Sequence, residues 1–250
     1  MKYNVVTAKE DRDLLSRADK RICAEWPEFM LHDPVADLLD LCYDELPDYQ
    51  FVITANDHNE PLAIANSIPL LWHDPPECLP EEGWDWALTR GFEDFRGGRA
   101  CNILCALQIV VFSENRGKAL SGVAVDAMKA IGRTHDLEAL IAPVRPSRKC
   151  DHPLISIDEY VTWTVDNGFP YDPWMRVHVR LGARIIKPCH KAMRITGTVA
   201  EWRNWTGMDF PETDSYIIPG ALEPVEIDLD RDLGTYVEPN VWMCHPLQMR

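Results

Sequence analysis

Residues 103–135 read ILCALQIVVF-SENRGKALS-GVAVDAMKAIGRTH. The run at 109–112 is apolar without interruption and rich in β-branched residues, which is typical of a strand buried on both faces. Beyond a polar turn, apolar side chains recur at helical spacing at Leu120, Val123, Ala127, Met128 and Ile131. This stretch therefore predicts a buried strand, a short turn and an amphipathic helix.

The turn at 113–118 places the start of a helix directly after a strand. A helix start offers free backbone N–H groups and the positive end of the helix dipole, and both favour phosphate. Arg116 and Lys118 would add positive charge beside it. The sequence predicts a phosphate site here. The alternative is an ordinary strand–turn–helix unit whose Arg and Lys are solvated.

Strand, turn and helix together resemble the acetyl-CoA pyrophosphate loop of the GCN5-related N-acetyltransferase (GNAT) superfamily. The turn of that family usually reads Arg/Gln-x-x-Gly-x-Gly/Ala. The matching positions in this sequence are Arg116, Gly117, Lys118, Ala119, Leu120 and Ser121. Ala119 stands where the family prefers Gly, and Ser121 stands at its final Gly/Ala. Both keep a backbone N–H but add a Cβ. The resemblance implies that acetyl-CoA, or another acyl-CoA, binds here as cosubstrate.

The resemblance also implies where pantetheine and the catalytic groups lie. Backbone groups of the strand before the loop, at Ile109, Val110 and Val111, would hold pantetheine and polarise the thioester carbonyl. The general acid of the family, a Tyr in its fourth helix, corresponds here to His178, which titrates near neutral pH when unperturbed. The alternative for His178 is a half-buried helical histidine without a catalytic part.

Other catalytic assignments stay open at this stage. Tyr160 and Tyr171 are substitutes for the acid. Glu28 is the candidate base because it lies where the acceptor-binding helices of the family lie, and His73 is a further candidate for the acceptor cleft. An ordinary cap or surface carboxylate is the alternative for Glu28. Six tryptophans fall in regions expected around the acceptor: Trp26, Trp72, Trp84, Trp86, Trp163 and Trp174.

Composition limits the class of protein. The chain has 250 residues, 46% of them hydrophobic, which suffices for one large domain or two small ones. Apolar runs stay well short of the ~20 residues of a membrane span, and the start MKYNVVTAKEDRDLL lacks signal-peptide features. These features predict a cytoplasmic protein without membrane contact. Eight cysteines without a C-x-x-C pair predict reduced thiols and no metal site.

The net charge of −15 argues against nucleic acid as a partner. Acidic surroundings instead mildly favour a cationic or amine acceptor. The glycine motifs of P-loop and dinucleotide-binding proteins and the G-x-S-x-G elbow of serine hydrolases are all missing from the sequence.

Patterning along the chain predicts an α/β (α+β) fold with a mostly antiparallel central sheet flanked by helices. Strands are expected at 2–8, 50–55, 62–72, 103–112 and 138–145, with helices near 9–25, 34–43, 119–134 and 155–167. Residues 1–189 are expected to form the acyl-CoA-binding domain, with insertions near 73–100 and 150–170. Residues 190–250 are expected to form a β-rich C-terminal extension packed on this core.

The function predicted from the sequence is transfer of acetyl from acetyl-CoA to an unidentified amine by direct attack. The alternative is a CoA-thioester-binding protein of the same fold that does not acetylate. It would serve as a sensor or scaffold, or act on a longer or carrier-bound acyl group. A homodimer built through the C-terminal hairpin also stays open.

Overall fold

The computed structural model describes residues 3–55 and 60–248. The hairpin turn expected at 56–60 lies largely outside them. The strands are β1 (Tyr3–Thr7), β2 (Gln50–Ala55), β3 (Pro61–Leu70), β4 (Ile103–Val111), β5 (Ala139–Val144), β6 (Arg184–Gly197), β7 (Asp214–Tyr216), β8 (Val225–Asp228) and β9 (Leu233–Pro246). The helices are α1 (Arg12–Asp19), α2 (Asp37–Glu45), α3 (Gly83–Arg96), α4 (Leu120–Thr134), α5 (Ile157–Tyr160), α6 (Pro173–Arg180) and α7 (Val199–Thr206). Two 3₁₀ turns, Ile22–Glu25 and Glu28–His32, follow α1.

The described strands form a single sheet in the order β1-β2-β3-β4-β5-β9-β8-β7, with β6 on the other side of β9. Every pair is antiparallel except β4–β5. This confirms the predicted mixed, mostly antiparallel sheet flanked by helices. The domain boundary expected at residue 189 falls inside β6, and β9 lies between β5 and β6 in the sheet.

The two parallel strands, β4 and β5, pair only over a short stretch. Residues 103–105 of β4 pair with residues 139–141 of β5, and neither strand pairs with the other beyond that point. From there β4 continues alongside β3, while β5 continues alongside β9. A gap therefore opens in the middle of the sheet, with the backbone edge of residues 106–111 along one side.

Helices cover both faces of the sheet. On one face α4 and α6 pack against apolar residues such as Leu104 and Val241. On the other face α3 and α7 pack around Cys105, Leu107 and Trp242, while α1 packs on Ile64. A ligand that enters the gap therefore has a helix layer on either side.

One predicted helix is wrong in extent. Instead of a helix over 155–167, the structure has a single turn, α5, followed by a tight loop closed by a bridge between Thr164 and Pro170. β-Branched residues at 161, 162, 164 and 165 disfavour continued helix. Gly168, at φ 77°, then supplies a left-handed turn. The first predicted helix is likewise shorter: α1 ends at Asp19 and a 3₁₀ turn follows.

In residues 3–55 and 60–248, none of the helices combines the length and the apolar character that crossing a membrane requires.

Candidate active site

The turn between β4 and α4 bends through two left-handed residues. Gly117 has φ 81° and Ala119 has φ 58°. A Cβ on Gly117 would meet no atom within 4 Å, so the space in front of the turn is open. Ala119 is the residue before α4, and its side chain has no group that caps the helix start. The first turn of α4 therefore faces open space without a capping side chain.

Backbone donors line this turn. The N–H groups of Gly122 and Val123 both donate to the carbonyl of Ala119, at 3.2 and 3.4 Å. For the N–H groups of residues 117–121, no acceptor is found among the described residues. Unsatisfied N–H groups beside a helix N-terminus form an anion site because the helix dipole reinforces them.

Cations flank the turn and are held by carboxylates. Arg116 donates to Glu25 at 2.7 Å, and Glu25 also accepts from the backbone N–H of Ser113 at 2.9 Å. Glu114 pairs with Arg21. Lys118 donates to the side-chain oxygen of Asn115 at 2.7 Å. These contacts tie the turn to the 3₁₀ segment Ile22–Glu25 and keep basic groups at the open helix end.

Strand β4 carries a bulge beside the gap. Asn66 of β3 is opposite Gln108, whereas Ser67 is opposite Ala106, so Leu107 is an extra residue. The carbonyl of Leu107 accepts a hydrogen bond from the indole N–H of Trp84 in α3, at 2.9 Å. The bulge thus re-aims the backbone of β4 at the point where β5 has already moved away.

A buried amide network fixes the bulge. The side-chain NH₂ of Gln108 donates to Asn66 at 2.8 Å, and Asn66 donates to Gln50 at 3.1 Å. Gln50 in turn accepts from the N–H of Ser67 and donates to its carbonyl. Because Gln50 and Asn66 are buried and all three amide groups are partnered, the network holds one backbone register across three strands.

A group of carboxylates lies on the α3 side of the gap. Asp33, just after the 3₁₀ turn Glu28–His32, is 4% exposed and accepts from the N–H of Val35 at 2.8 Å. Asp85, in the first turn of α3, accepts from the N–H of Arg194 at 3.2 Å. The second oxygen of each carboxyl group has no hydrogen-bond donor among the described residues.

Electrostatics couple these two carboxyl groups. Burial and the charge of Asp33 raise the pKa of Asp85 to about 8, and burial also raises the pKa of Asp33. Two carboxyl groups that interact in this way cannot both ionise at low cost, so the pair retains one proton near neutral pH, and that proton bonds one carboxyl group to the other.

Glu238 of β9 is the third buried carboxylate, and it is fully partnered. Arg145, the residue after β5, donates to both of its oxygens at 3.0 and 2.9 Å. The hydroxyl of Tyr236 donates to it at 3.0 Å. Arg145 also donates to the carbonyl of Gly220 at 2.7 Å and lies 5.7 Å from the ring of Trp26. This ion pair fixes the end of β5 beside the gap.

The edge of β4 that faces the gap includes the predicted cofactor residues Ile109, Val110 and Val111. Ile109 and Val111 point to the α4 face, where they pack at the edge of that core, and Val110 is buried against α1 on the other face. Their backbone edge on the β5 side has no strand partner among the described residues.

His178 lies inside the protein rather than on the surface of the gap. It is fully buried on α6, and its Nδ1 lies 2.9 Å from Nε2 of His245 in β9. The ring of Trp174 packs on it at 4.3 Å. Burial, and then the neighbouring His245, lower the pKa of His178 to about 3. Its imidazole is therefore neutral at pH 7.

Glu28 is exposed and bonded to the ring of His32 at 3.2 Å, and that ring stacks on Trp205 of α7 at 4.3 Å. Glu28 therefore faces α7. Asp33, five residues later, is the residue of this segment that lies with Asp85. Of the alternatives, Tyr160 is buried and donates to Asp172 at 3.0 Å, and His73 is exposed.

The tryptophans divide between the two faces. Trp84 contacts β4, and Trp72 and Trp86 pack edge to face at 5.3 Å on the α3 side. On the α6 side, Trp163 packs on Tyr171 and Trp174 on His178. The six tryptophans therefore do not form one pocket wall.

The predictions from the sequence did not include Asp33, Asp85 or Glu238. Two of them nevertheless carry a local signal. Asp85 stands between two tryptophans in GWDW, and Glu238 occupies the same strand phase as Tyr236 and Trp242 in TYVEPNVW. A charge among large apolar side chains indicates a paired or functional group. In the described part of the chain, no three His, Cys, Asp or Glu side chains are arranged to hold a metal ion.

Comparisons with known proteins agree with this geometry. No protein-family model matches the chain. The chain is 32% identical, over 275 aligned residues, to the arginine N-acetyltransferase avaD of Aspergillus versicolor, covering 98% of this chain and 94% of that protein.

Two solved structures share the fold. The loading GNATL domain of CurA from Lyngbya majuscula superposes with a TM-score of 0.57 at 15% identity, and the match covers the whole of both chains. The GphF GNAT-like decarboxylase, solved with isobutyryl-CoA, gives a TM-score of 0.52 at 15% identity, over 99% of this chain and all of that one. Identities this low are evidence for the fold alone.

Proposed function

Because the chain belongs to the GCN5-related N-acetyltransferase superfamily and is an N-acetyltransferase, we propose that it takes acetyl from acetyl-CoA bound at residues 109–121 and transfers it to the amine of an amino acid with a cationic side chain. The observation that carries this proposal is the match to an arginine N-acetyltransferase over nearly the full length of both chains. The open helix start and the gap beside β4 support it.

The phosphate end of the cofactor is proposed at the start of α4. Free N–H groups at 117–121, the helix dipole and the side chains of Arg116 and Lys118 all favour the pyrophosphate. Ala119 already holds the left-handed conformation that glycine favours, so its methyl group costs about 1 kcal/mol of strain but removes no donor.

The acyl end is proposed in the gap between β4 and β5. Pantetheine would pair with the free backbone edge at Ile109–Val111 as a short extra strand, and an N–H at the bulge would donate to the thioester oxygen. The amine nitrogen then attacks the carbonyl carbon, the new C–N bond forms, the C–S bond breaks and CoA leaves as the thiolate. The amine nitrogen gives up its proton to water in the same step.

The acceptor nitrogen is proposed to be the α-amine. A guanidinium keeps its proton at any physiological pH and so lacks a free electron pair for attack. The α-amine of an amino acid is a much weaker base than a guanidinium, so a fraction of it is neutral near pH 7.5. A cationic side chain would therefore serve recognition, and the α-amine would serve as the nucleophile.

His178 and Glu28 remain the sequence-based candidates for acid and base. With its pKa lowered to about 3, His178 has no proton to donate at neutral pH, which argues for a positioning role inside α6 and β9. Glu28 reaches the acceptor only if its bond to His32 opens. A thiolate leaving into water at pH 8 needs little help, because CoA-type thiols titrate close to the ordinary thiol pKa of about 8.5.

The test of the cofactor site is calorimetric titration with acetyl-CoA of the wild type and of Arg116→Glu and Lys118→Glu. Each variant places a negative charge at the proposed pyrophosphate, so affinity should fall at least about tenfold, or about 1.4 kcal/mol. Lys9→Glu is the matched control. Lys9 is exposed and paired with Asp48, which lies near His135 at the far end of α4, and acetyl-CoA affinity should stay within about twofold.

Equal affinity in all four proteins would remove the turn at 116–121 from the cofactor site. Absence of acetyl-CoA binding in the wild type would contradict the proposed function itself.

A further inference from the structure

The reaction proposed above leaves the Asp33–Asp85 pair unused. In the part of the chain that the structure describes, one oxygen of each carboxyl group has no donor other than the proton that the pair shares, and Asp33 is almost wholly buried. A further buried oxygen without a partner belongs to Asn240 of β9. Asn240 is 2% exposed, its side-chain oxygen has no partner among the described residues, and it leaves β9 on the same face as Glu238, two positions away. Buried acceptors without donors are rare in folded proteins because they cost free energy. A ligand that carries several N–H groups would satisfy them.

The charges around the pair favour a cation. Glu238 is the nearest charged group on β9, and it is neutralised by the two hydrogen bonds from Arg145. The groups from β6 and the 3₁₀ region that contact the pair are backbone N–H groups, of Arg194 and Val35. The local charge is therefore that of the two aspartates alone. It is −1 when they share a proton and −2 when that proton is lost.

The position of the pair relates it to the chemistry. Asp85 follows Trp84, whose indole contacts the carbonyl of Leu107 at the bulge of β4. Asp33 lies on the same side, next to α3, and α4 with its open start lies on the opposite face. A cosubstrate whose phosphates bind at α4 and an acceptor held at the aspartates would thus enter the gap from opposite faces.

We propose that the carboxyl groups of Asp33 and Asp85 bind the guanidinium of the acceptor amino acid and orient its α-amine toward the gap between β4 and β5. A planar guanidinium offers five N–H donors in a fork that matches paired carboxylates. Binding of this fixed cation releases the shared proton to solvent. The inference rests on the proposed function, since it identifies the residues that select its acceptor.

The test compares L-arginine with L-citrulline, which replaces the guanidinium by a neutral urea of nearly the same shape. CoA release is measured at saturating acetyl-CoA for the wild type, Asp33→Asn and Asp85→Asn. The wild type should prefer arginine in kcat/KM by at least tenfold. In each variant KM for arginine should rise at least tenfold and the preference should largely disappear, because one charge-assisted contact is lost. Glu82→Gln, an exposed carboxylate next to α3, is the matched control and should behave as the wild type.

A second readout follows the proton. Calorimetry of arginine binding to the enzyme–CoA complex at pH 7, in two buffers that differ in ionisation enthalpy, should detect proton release in the wild type and none in Asp85→Asn. Because this variant is isosteric and removes a strained carboxylate, it is expected to fold, and its melting curve checks this.

The outcomes separate the two proposals. An arginine preference that survives in both aspartate variants overturns the assignment of Asp33 and Asp85. Acetylation of citrulline and arginine at equal rates by the wild type also overturns it, while the acetyltransferase function stands. Failure to bind acetyl-CoA at all contradicts the proposed function first.

Discussion

At the scale of single residues, the site keeps groups that cost stability. Ala119 takes a conformation that favours glycine, and Asp85 holds a carboxyl group whose pKa burial and Asp33 raise to about 8. Such costs in stability concentrate at functional positions, where the geometry that the function requires overrides local conformational and solvation preferences. On the proposal above, the free-energy cost of burying the Asp85 carboxyl group is offset when a cation binds to it.

The cost of Asp85 has a defined pH dependence. Its pKa is raised in the folded state above the unfolded value near 3.8, so the folded protein holds the extra proton between those values. Stability should therefore fall as pH rises from about 4 to about 8. Asp85→Asn should raise the free energy of unfolding more at pH 8 than at pH 5, because its NH₂ group can donate to Asp33. Urea unfolding at both pH values measures this.

Glu82→Gln serves as the control for the Asp85 variant, since it removes a neighbouring exposed carboxylate. An equal effect of Asp85→Asn at the two pH values would show that Asp85 is not held protonated by Asp33.

At the scale of elements, α6 shows how a short helix is fixed from outside. Asp172 caps it by accepting from the N–H groups of Trp174 and Met175, at 2.9 and 3.1 Å, and also accepts from Tyr160. At the other end, His178 contacts His245 of β9. The buried histidine pair thus joins α6 to the C-terminal strand.

This pair should make the protein sensitive to acid. Burial lowers the pKa of His178 to about 3 and of His245 to about 4. As pH falls below 6.5 the unfolded chain takes up protons that the folded chain does not, so stability falls by up to about 1.4 kcal/mol per pH unit for each group. His178→Phe should flatten this slope between pH 6.5 and 4 and lower stability at pH 7.

Turnover of His178→Phe distinguishes structure from catalysis. We expect kcat per folded molecule to stay within a few-fold of the wild type. A fall of about 10²-fold or more, with acetyl-CoA affinity unchanged, would make His178 the general acid after all. His73→Phe, at an exposed histidine, is the control for the pH slope.

At the scale of the whole molecule, the end of the chain holds the sheet together. β9 pairs with β5 and β8 along one edge and with β6 along the other. It also carries Glu238, whose carboxylate pairs with Arg145 at the end of β5. The last of the described strands therefore completes the core and fixes the end of β5 beside the gap.

Truncation tests this dependence. A chain that ends at residue 190 lacks part of β6 and all of β9, so β5 loses its antiparallel partner and the core of one face opens to water. We expect no cooperative melting transition and no acetyl-CoA binding. A chain that ends at residue 248 should melt as the full chain does. Cooperative melting of the shorter fragment would mean that residues 1–190 form an independent unit.

Much of the fold follows from local sequence. The strand–turn–helix unit could be predicted from the apolar run at 109–112, the polar turn and the helical spacing after it. Each of these signals depends only on residues close together in the sequence. The same holds for the strands expected at 50–55 and 138–145, which the structure has as β2 and β5. The helix predicted over 155–167 was wrong in extent because the apolar residues there have helical spacing while the β-branched side chains disfavour helix.

The class of fold, the CoA cosubstrate and the transferase reaction could be predicted from the sequence, because the resemblance that implies them lies in one contiguous stretch, residues 103–135. Which carboxylates meet could be seen only in the folded structure. Asp33, Asp85 and Glu238 lie on three elements far apart in the chain, and their burial depends on the packing of α3 and β9. It also placed His178 in the core, because burial of one helix face is set by what packs on it and not by its own spacing.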